Sequence, residues 1–208
     1  MEPESILLIL SCKKYTHKVV KQQETWLKDI PLQYFHVIGD PGLSKDFTFE
    51  KRTLWVKTPD DYVSLPQKVI AAFEAIHQTF DYSYIFKTDD DQNLIDPGFF
   101  NWLFETLSKR RVDYGGKVIK IHTHYSNYHL IHPELPRKIL LQKGSYCNGR
   151  FYLLSKQAVS ALLEQKAAIS KEYFEDYSIG TYLPGHLKKN TFSFNNDVYF
   201  KDFKWLKK

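Results

Sequence analysis

The chain has 208 residues, 43% hydrophobic and 25% charged, with Lys+Arg 29 against Asp+Glu 24 and a net charge of +5. This balance excludes a disordered or fibrous chain, and the length suits one domain with its own core. No apolar run approaches the ~18 residues of a membrane span, and Cys12 and Cys147 alone make no disulfide framework.

The elements alternate between strand-like and helix-like patterns, which predicts an α/β fold with a mainly parallel central sheet flanked by helices. Ser5 to Ser11 reads as a buried strand. Thr16 caps a predicted helix to about Lys28, with Val19, Val20, Gln23, Trp26 and Leu27 on one face. Gln33 to Gly39 is a second strand, closed by the turn signal Asp40-Pro41-Gly42. Thr53 to Lys57 is a third. Pro66 opens a helix with a stripe of Val69, Ile70, Phe73, Ile76, His77 and Phe80. Tyr82 to Thr88 is a fourth strand. Asp96 caps and Pro97 opens a helix carrying Phe99, Phe100, Leu103, Phe104 and Leu107, ended by Arg110-Arg111. Residues 112–121 read as strand with a Gly115-Gly116 interruption, and residues 122–146 as irregular. Phe151 to Leu154 is strand-like, Ser155 caps a helix to about Gln165, and Glu175 to Leu183 is a further short helix. The Lys-rich end, Lys201 to Lys208, reads as a solvated tail.

Three features carry chemistry. The first is Tyr84-Ile85-Phe86-Lys87-Thr88-Asp89-Asp90-Asp91, an apolar strand that runs straight into three carboxylates. Adjacent like charges are costly unless a cation or donors offset them, and α/β sheets bind ligands beyond the carboxyl ends of their strands. Hard oxygen donors there suit Mg2+ or Mn2+, with ligand phosphates completing the shell. An EF-hand reading of Asp89, Asp91 and Asn93 fails, because Leu94 stands at the required Gly and Phe100 at the required Glu. The second feature is Glu175-Asp176 at a helix start, which the helix dipole alone would also favour. The third is Tyr146 to Ser155, where Gly149 lets backbone approach a ligand and Arg150 suits a phosphate or sugar hydroxyl. The histidines His122, His124, His129 and His132 include one His-x-His pair. A zinc site needs three or four ligands with a fixed second shell, so the stretch reads as a mobile acceptor or donor loop.

In this order the motifs resemble the β-1,3-galactosyltransferase and Fringe group of GT-A glycosyltransferases. Lys87-Thr88-Asp89-Asp90-Asp91 is similar to that family's K-T-D-D-D-like motif, and Tyr146 to Ser155 to its Y-C-x-G-x-x-Y-x-L-S-like segment. Glu175 to Gly180 is similar to its E-D-V-x-x-G-like segment, and Glu24-Thr25-Trp26 matches an early E-T-W. Gln23 stands where the family usually has Arg. The resemblance spans roughly residues 6–185. It implies one GT-A (Rossmann-like) domain over 1–208, with a nucleotide-sugar half to about 95 and an acceptor half beyond. It also implies inverting transfer from a UDP-sugar to a glycan or other hydroxyl acceptor, with Mn2+ or Mg2+ neutralising the departing diphosphate.

The implied roles are specific. Asp91 is the direct metal ligand. Asp89 takes a share of the metal and the ribose side of the donor, and Asp90 supports either. Asp176 is the general base, oriented by Glu175. His186, the only histidine so late in the chain, joins the metal. Ser11, Lys13 and Tyr15 lie over the nucleotide, with Lys87, Gly149 and Arg150 also at the donor. Met1-Glu2-Pro3-Glu4 lacks the basic flank of a signal peptide, and no Golgi-type anchor is present. The expectation is therefore a bacterial or viral enzyme working in the cytosol. Two rivals use the same residues: a metal-dependent phosphoesterase or nuclease, and a non-catalytic nucleotide-sugar binder. No RNA- or DNA-binding pattern is present, so no nucleic-acid partner is expected.

Overall fold

The computed structural model describes residues 4–203, so most of the acidic start and of the Lys-rich end lie outside the described residues. In chain order the elements are β1 (Ser5–Leu10), α1 (Thr16–Glu24), β2 (Gln33–Gly39), β3 (Phe47–Glu50), β4 (Thr53–Val56), α2 (Leu65–Thr79) and β5 (Tyr84–Asp89). Then come β6 (Gln92–Leu94), α3 (Phe99–Lys109), β7 (Tyr114–Ile121), β8 (His124–Tyr125), β9 (Leu140–Leu141) and β10 (Gly144–Ser155). Four short helices and two strands finish the chain: α4 (Lys156–Leu163), α5 (Lys166–Ile169), α6 (Glu175–Tyr182), α7 (Gly185–Lys188), β11 (Thr191–Ser193) and β12 (Phe200–Asp202).

One eight-stranded sheet runs in the order β11-β7-β10-β5-β1-β2-β4-β3. Its strands run one way except β10 and β3, which run against their neighbours, so the sheet is mainly parallel as expected. Helices cover both faces, which is why β1 reads as an unbroken apolar run. Ile6, Leu8 and Leu10 face α2 and its Val69, Ile70, Phe73 and Ile76. Leu7 and Ile9 face the α3 side, with Phe99, Phe100, Leu103 and Phe104.

Several expectations shift. The first helix stops at Glu24, where the Thr25 hydroxyl donates back to the Lys21 carbonyl (2.6 Å) and the chain turns. Its buried polar side chain is Gln22, not Gln23, and Val20 is exposed. Asp96 accepts from the Gly98 N–H (2.8 Å) in a turn ahead of α3, so Gly98, not Asp96, caps that helix and Pro97 lies outside it. β3, with its Phe47-Thr48-Phe49-Glu50 alternation, has no counterpart among the predicted elements. It pairs with β4 across a turn in which Lys51 takes φ 53°.

β10 is longer than the predicted strand and carries a bulge between Cys147 and Tyr152. Because β10 runs against β5, with Phe151 opposite Thr88, its earlier residues project past the carboxyl end of β5. That topology puts Gly149 and Arg150 beside the acidic triplet. α6 then crosses β10 at very close range. A Cβ on Gly180 would stand 2.3 Å from Tyr146 Cβ and 2.7 Å from its Cα. Gly180→Ala should therefore push α6 off β10 and cost about 1–3 kcal/mol. Thermal melting checks this, and an unchanged midpoint would show that the helix is not held at that distance.

Candidate active site

The centre of the site is a buried lysine. Lys87 lies on β5 with 1% of its surface exposed. Its Nζ donates to the Gly149 carbonyl (2.9 Å) and meets Glu175 Oε2 (3.0 Å) and Asp89 Oδ1 (2.8 Å). Glu175 also accepts from the buried Tyr152 hydroxyl. One ammonium thus ties together the acidic triplet, the β10 bulge and the start of α6. Burial pushes the Lys87 pKa down, but Asp89 and Glu175 push it up harder, so it stays charged. The family resemblance puts Lys87 at the donor. In the structure three protein oxygens enclose its ammonium.

Asp89 keeps 35% of its side chain exposed at the mouth of the site. Burial of its surroundings raises its pKa to about 7; Lys87 opposes the rise, and Glu175 and Asp91 add to it. Lys87 shares its single charge between two carboxylates, so neither is fully neutralised. Asp91 accepts from the Gln92 amide (2.8 Å), and among the described residues no lysine or arginine pairs with it. Asp90 turns inward instead, accepting from Ser11 Oγ (2.9 Å) and pairing with Lys18 (3.0 Å). Ser11 and Asp90 therefore brace each other beneath the site.

Asp176 opens α6. Its Oδ2 accepts from the Gly149 N–H (2.9 Å) and its Oδ1 from the Tyr177 N–H (2.8 Å). Burial and the neighbouring Glu175 raise its pKa to about 6, against the pull of Lys87 and the two N–H groups. A Cβ on Gly149 would lie 3.3 Å from Asp176 Oδ2 and 3.5 Å from Lys87 Nζ, so the glycine lets the strand pass between them.

The remaining expected residues are more scattered. Lys13 pairs with Asp40 (2.9 Å), and its N–H donates to Asp60 (2.7 Å). Tyr15 packs one ring face under the Lys18 ammonium, 3.9 Å from the centroid. Arg150 was expected at a phosphate or a sugar hydroxyl of the donor. Instead it meets Asp202 (3.0 Å), Asp197 (3.4 Å) and Gln92 (2.7 Å), because β12 and β6 fold over it. His186 is exposed on α7. Among the described residues no three His, Cys, Asp or Glu group closely enough to hold a metal, so the expected trio of Asp89, Asp91 and His186 does not assemble. A cavity of about 580 Å3 between β7, β10 and β11 is lined by none of these carboxylates.

The galactosyltransferase family model matches residues 23–187. The chain belongs to the galactosyltransferase family. Its fold is similar to that of a glycosyltransferase involved in glycosylation of the major capsid of PBCV-1, with a TM-score of 0.54 at 12% identity over 93% of this chain and 83% of the other. The bifunctional IspDF from Campylobacter jejuni follows at TM-score 0.49 and 14% identity, over 97% of this chain and 52% of that one. The 2-C-methyl-D-erythritol 4-phosphate cytidylyltransferase from Thermus thermophilus stands at 0.49 and 11%, over 98% and 94%. No curated protein matches. The family carries glycosyl transfer, which favours the transferase reading over the phosphoesterase. The matched span of this galactosyltransferase-family chain takes in Lys87 to Asp91, Gly149, Arg150, Glu175 and Asp176, and leaves out β1 with Ser11, Lys13 and Tyr15.

Sequence reasoning missed several residues that support these carboxylates and the loops around them. Gln22 donates to the Asp89 carbonyl (3.0 Å) and the Gln92 carbonyl (2.9 Å), fixing the triplet from below. Its amide oxygen meets buried His36 (3.0 Å), whose pKa burial lowers to about 4, so that histidine is neutral. Asp60 receives the Gly39 N–H (2.9 Å), the Lys13 N–H (2.7 Å) and buried Lys68 (2.6 Å), and so fastens the loop after β1. Lys68 carried a signal: a lysine inside the apolar face of α2 needs a partner. Tyr62, just before α2, stacks on His132 at 3.7 Å. Burial raises its pKa, with Tyr128, Asp176, Asp89 and Glu175 adding to the rise.

Proposed function

We propose that the chain moves a sugar from a nucleoside diphosphate sugar, in the first instance a UDP-sugar, to an acceptor hydroxyl with inversion. The observation that carries this is the convergence of two carboxylate groups on one lysine. The Asp89–Asp91 edge and the Glu175–Asp176 edge face each other across Lys87 and Gly149. In the proposed division, residues to about 95 hold the donor and the rest the acceptor.

Asp176 is the base. It takes the acceptor proton on a carboxylate oxygen as the new bond to the sugar carbon forms and the bond to the diphosphate breaks. A pKa near 6 leaves it ionised at neutral pH yet basic enough to accept that proton. Glu175, held by Lys87 and Tyr152, fixes the helix start that carries it.

The donor set suits a divalent ion: Asp91 faces no protein cation among the described residues, and Asp89 is crowded by like charge. Mn2+ or Mg2+ would take oxygens from Asp91 and Asp89, the rest of its shell coming from donor phosphates and water. When bound it would neutralise charge on the departing diphosphate.

Asp91→Ala should weaken Mn2+-dependent UDP binding by at least tenfold, read by titration calorimetry with Mn2+ and with EDTA. Unchanged affinity would remove Asp91 from the metal, and metal-independent UDP binding by the native chain would remove the metal from the site.

A further inference from the structure

Exposed large apolar side chains cluster on one stretch of the described residues. Tyr125, Tyr128, Leu130, Ile131 and Leu140 all stand on the excursion between β7 and β10. Leu130 and Ile131 are 75% and 71% exposed. Tyr125 and Leu140 are register partners of β8 and β9, so their side chains share a face. Single exposed apolar residues need no explanation, but a group of them does. Arg137, Lys138 and Lys143 on the same excursion are exposed, and its only carboxylate, Glu134, faces His132 at 3.4 Å.

We propose that this excursion docks the protein onto an anionic lipid surface. Aliphatic Leu130 and Ile131, nearby tyrosines and flanking basic residues make up the composition of an interfacial anchor. The aliphatic side chains enter the acyl boundary, the tyrosines lie at headgroup level, and Arg137, Lys138 and Lys143 meet the lipid phosphates. Five apolar side chains fall well short of the roughly 20–30 residues a side that a standard stable protein interface uses. Paired with a net positive segment, they suit weak, reversible binding to a fluid anionic surface.

The placement gives such docking a consequence. The excursion leaves the sheet at Ile121 and returns at Gly144, on the same side as the carboxyl end of β5. His132 of the excursion stacks on Tyr62, just before α2. A docked excursion therefore sets the mouth of the site at the lipid surface, where a lipid-borne hydroxyl would be presented. Vesicle binding is read without any substrate, so it stands or falls separately from the transfer reaction.

The test is sedimentation with vesicles of phosphatidylcholine alone and with about 30 mol% phosphatidylglycerol, at low and high salt. The native chain should bind the anionic vesicles at least tenfold more tightly than the neutral ones, and high salt should reverse this. Leu130→Glu with Ile131→Glu, and separately Arg137→Glu with Lys138→Glu, should each lower that binding at least tenfold while leaving the melting temperature unchanged. No binding of the native chain to anionic vesicles, or native-like binding by either variant, overturns the proposal. So does a native dimer, seen by light scattering, that the Leu130/Ile131 variant converts to monomer, because the patch would then belong to a second copy of this chain.

Discussion

Asp176→Asn should lower transfer by about 10²–10⁴-fold while donor affinity changes little. The substitution removes the proton acceptor and nearly preserves shape. Asn has one acceptor oxygen where Asp176 uses two, toward the Gly149 and Tyr177 N–H groups. A small loss of stability is therefore expected, and melting should be measured alongside activity. The pH dependence is the sharper check. The base works deprotonated, and its pKa of about 6 means the active form is lost as pH falls through that value. For the native enzyme kcat/KM should be level above about pH 7 and fall tenfold per pH unit below about 6. Measured at saturating Mn2+, which would hold Asp89 ionised, the residual activity of Asp176→Asn should lack that acidic limb. Near-native turnover, or an unchanged limb in the variant, would show that another group takes the proton.

Lys87→Met should be the most destabilising single change at the site. It leaves Glu175 buried without its cation, Asp89 without its partner and the Gly149 carbonyl without a donor. Breaking a buried pair by removing one partner costs about 3–5 kcal/mol. For a chain of this size that lowers the melting midpoint by on the order of 10 °C. Removing Glu175 as well should restore part of the loss, because the uncompensated carboxylate goes with it. Lys87→Met combined with Glu175→Gln should therefore melt above Lys87→Met alone. If Lys87→Met melts like the native chain, the ammonium is not the tie between β5, β10 and α6.

The sheet was legible because strands covered on both faces read as continuous apolar runs. β1 and β2 come within a residue of their expected bounds, and α2 was plain from its stripe. The acidic triplet was legible for a related reason: charge crowded at the end of an apolar strand has few explanations. What the sequence hid was direction. Neighbouring residues on a turn diverge, so Asp89 meets Lys87 and Asp91 meets Gln92, while Asp90 points in toward Ser11 and Lys18. Lys87 was expected at the donor because two of its three partners, Gly149 and Glu175, are 62 and 88 residues away. The partner of Arg150 was hidden in the same way, since β12, which supplies Asp202, carries no sequence mark linking it to β10. Long-range closure of charges requires the topology, and one-dimensional spacing does not contain it.

The most direct measurement is release of UDP, GDP and TDP from a panel of sugar nucleotides, with Mn2+ and then with EDTA. Many glycosyltransferases hydrolyse their donor slowly without an acceptor, so no acceptor need be chosen. Metal-dependent release of UDP from one UDP-sugar, abolished by Asp91→Ala, is the expected result, and it would name the sugar as well. Release that persists in EDTA, or no release together with no metal-dependent nucleotide binding, would contradict the proposed metal-dependent transfer at this site.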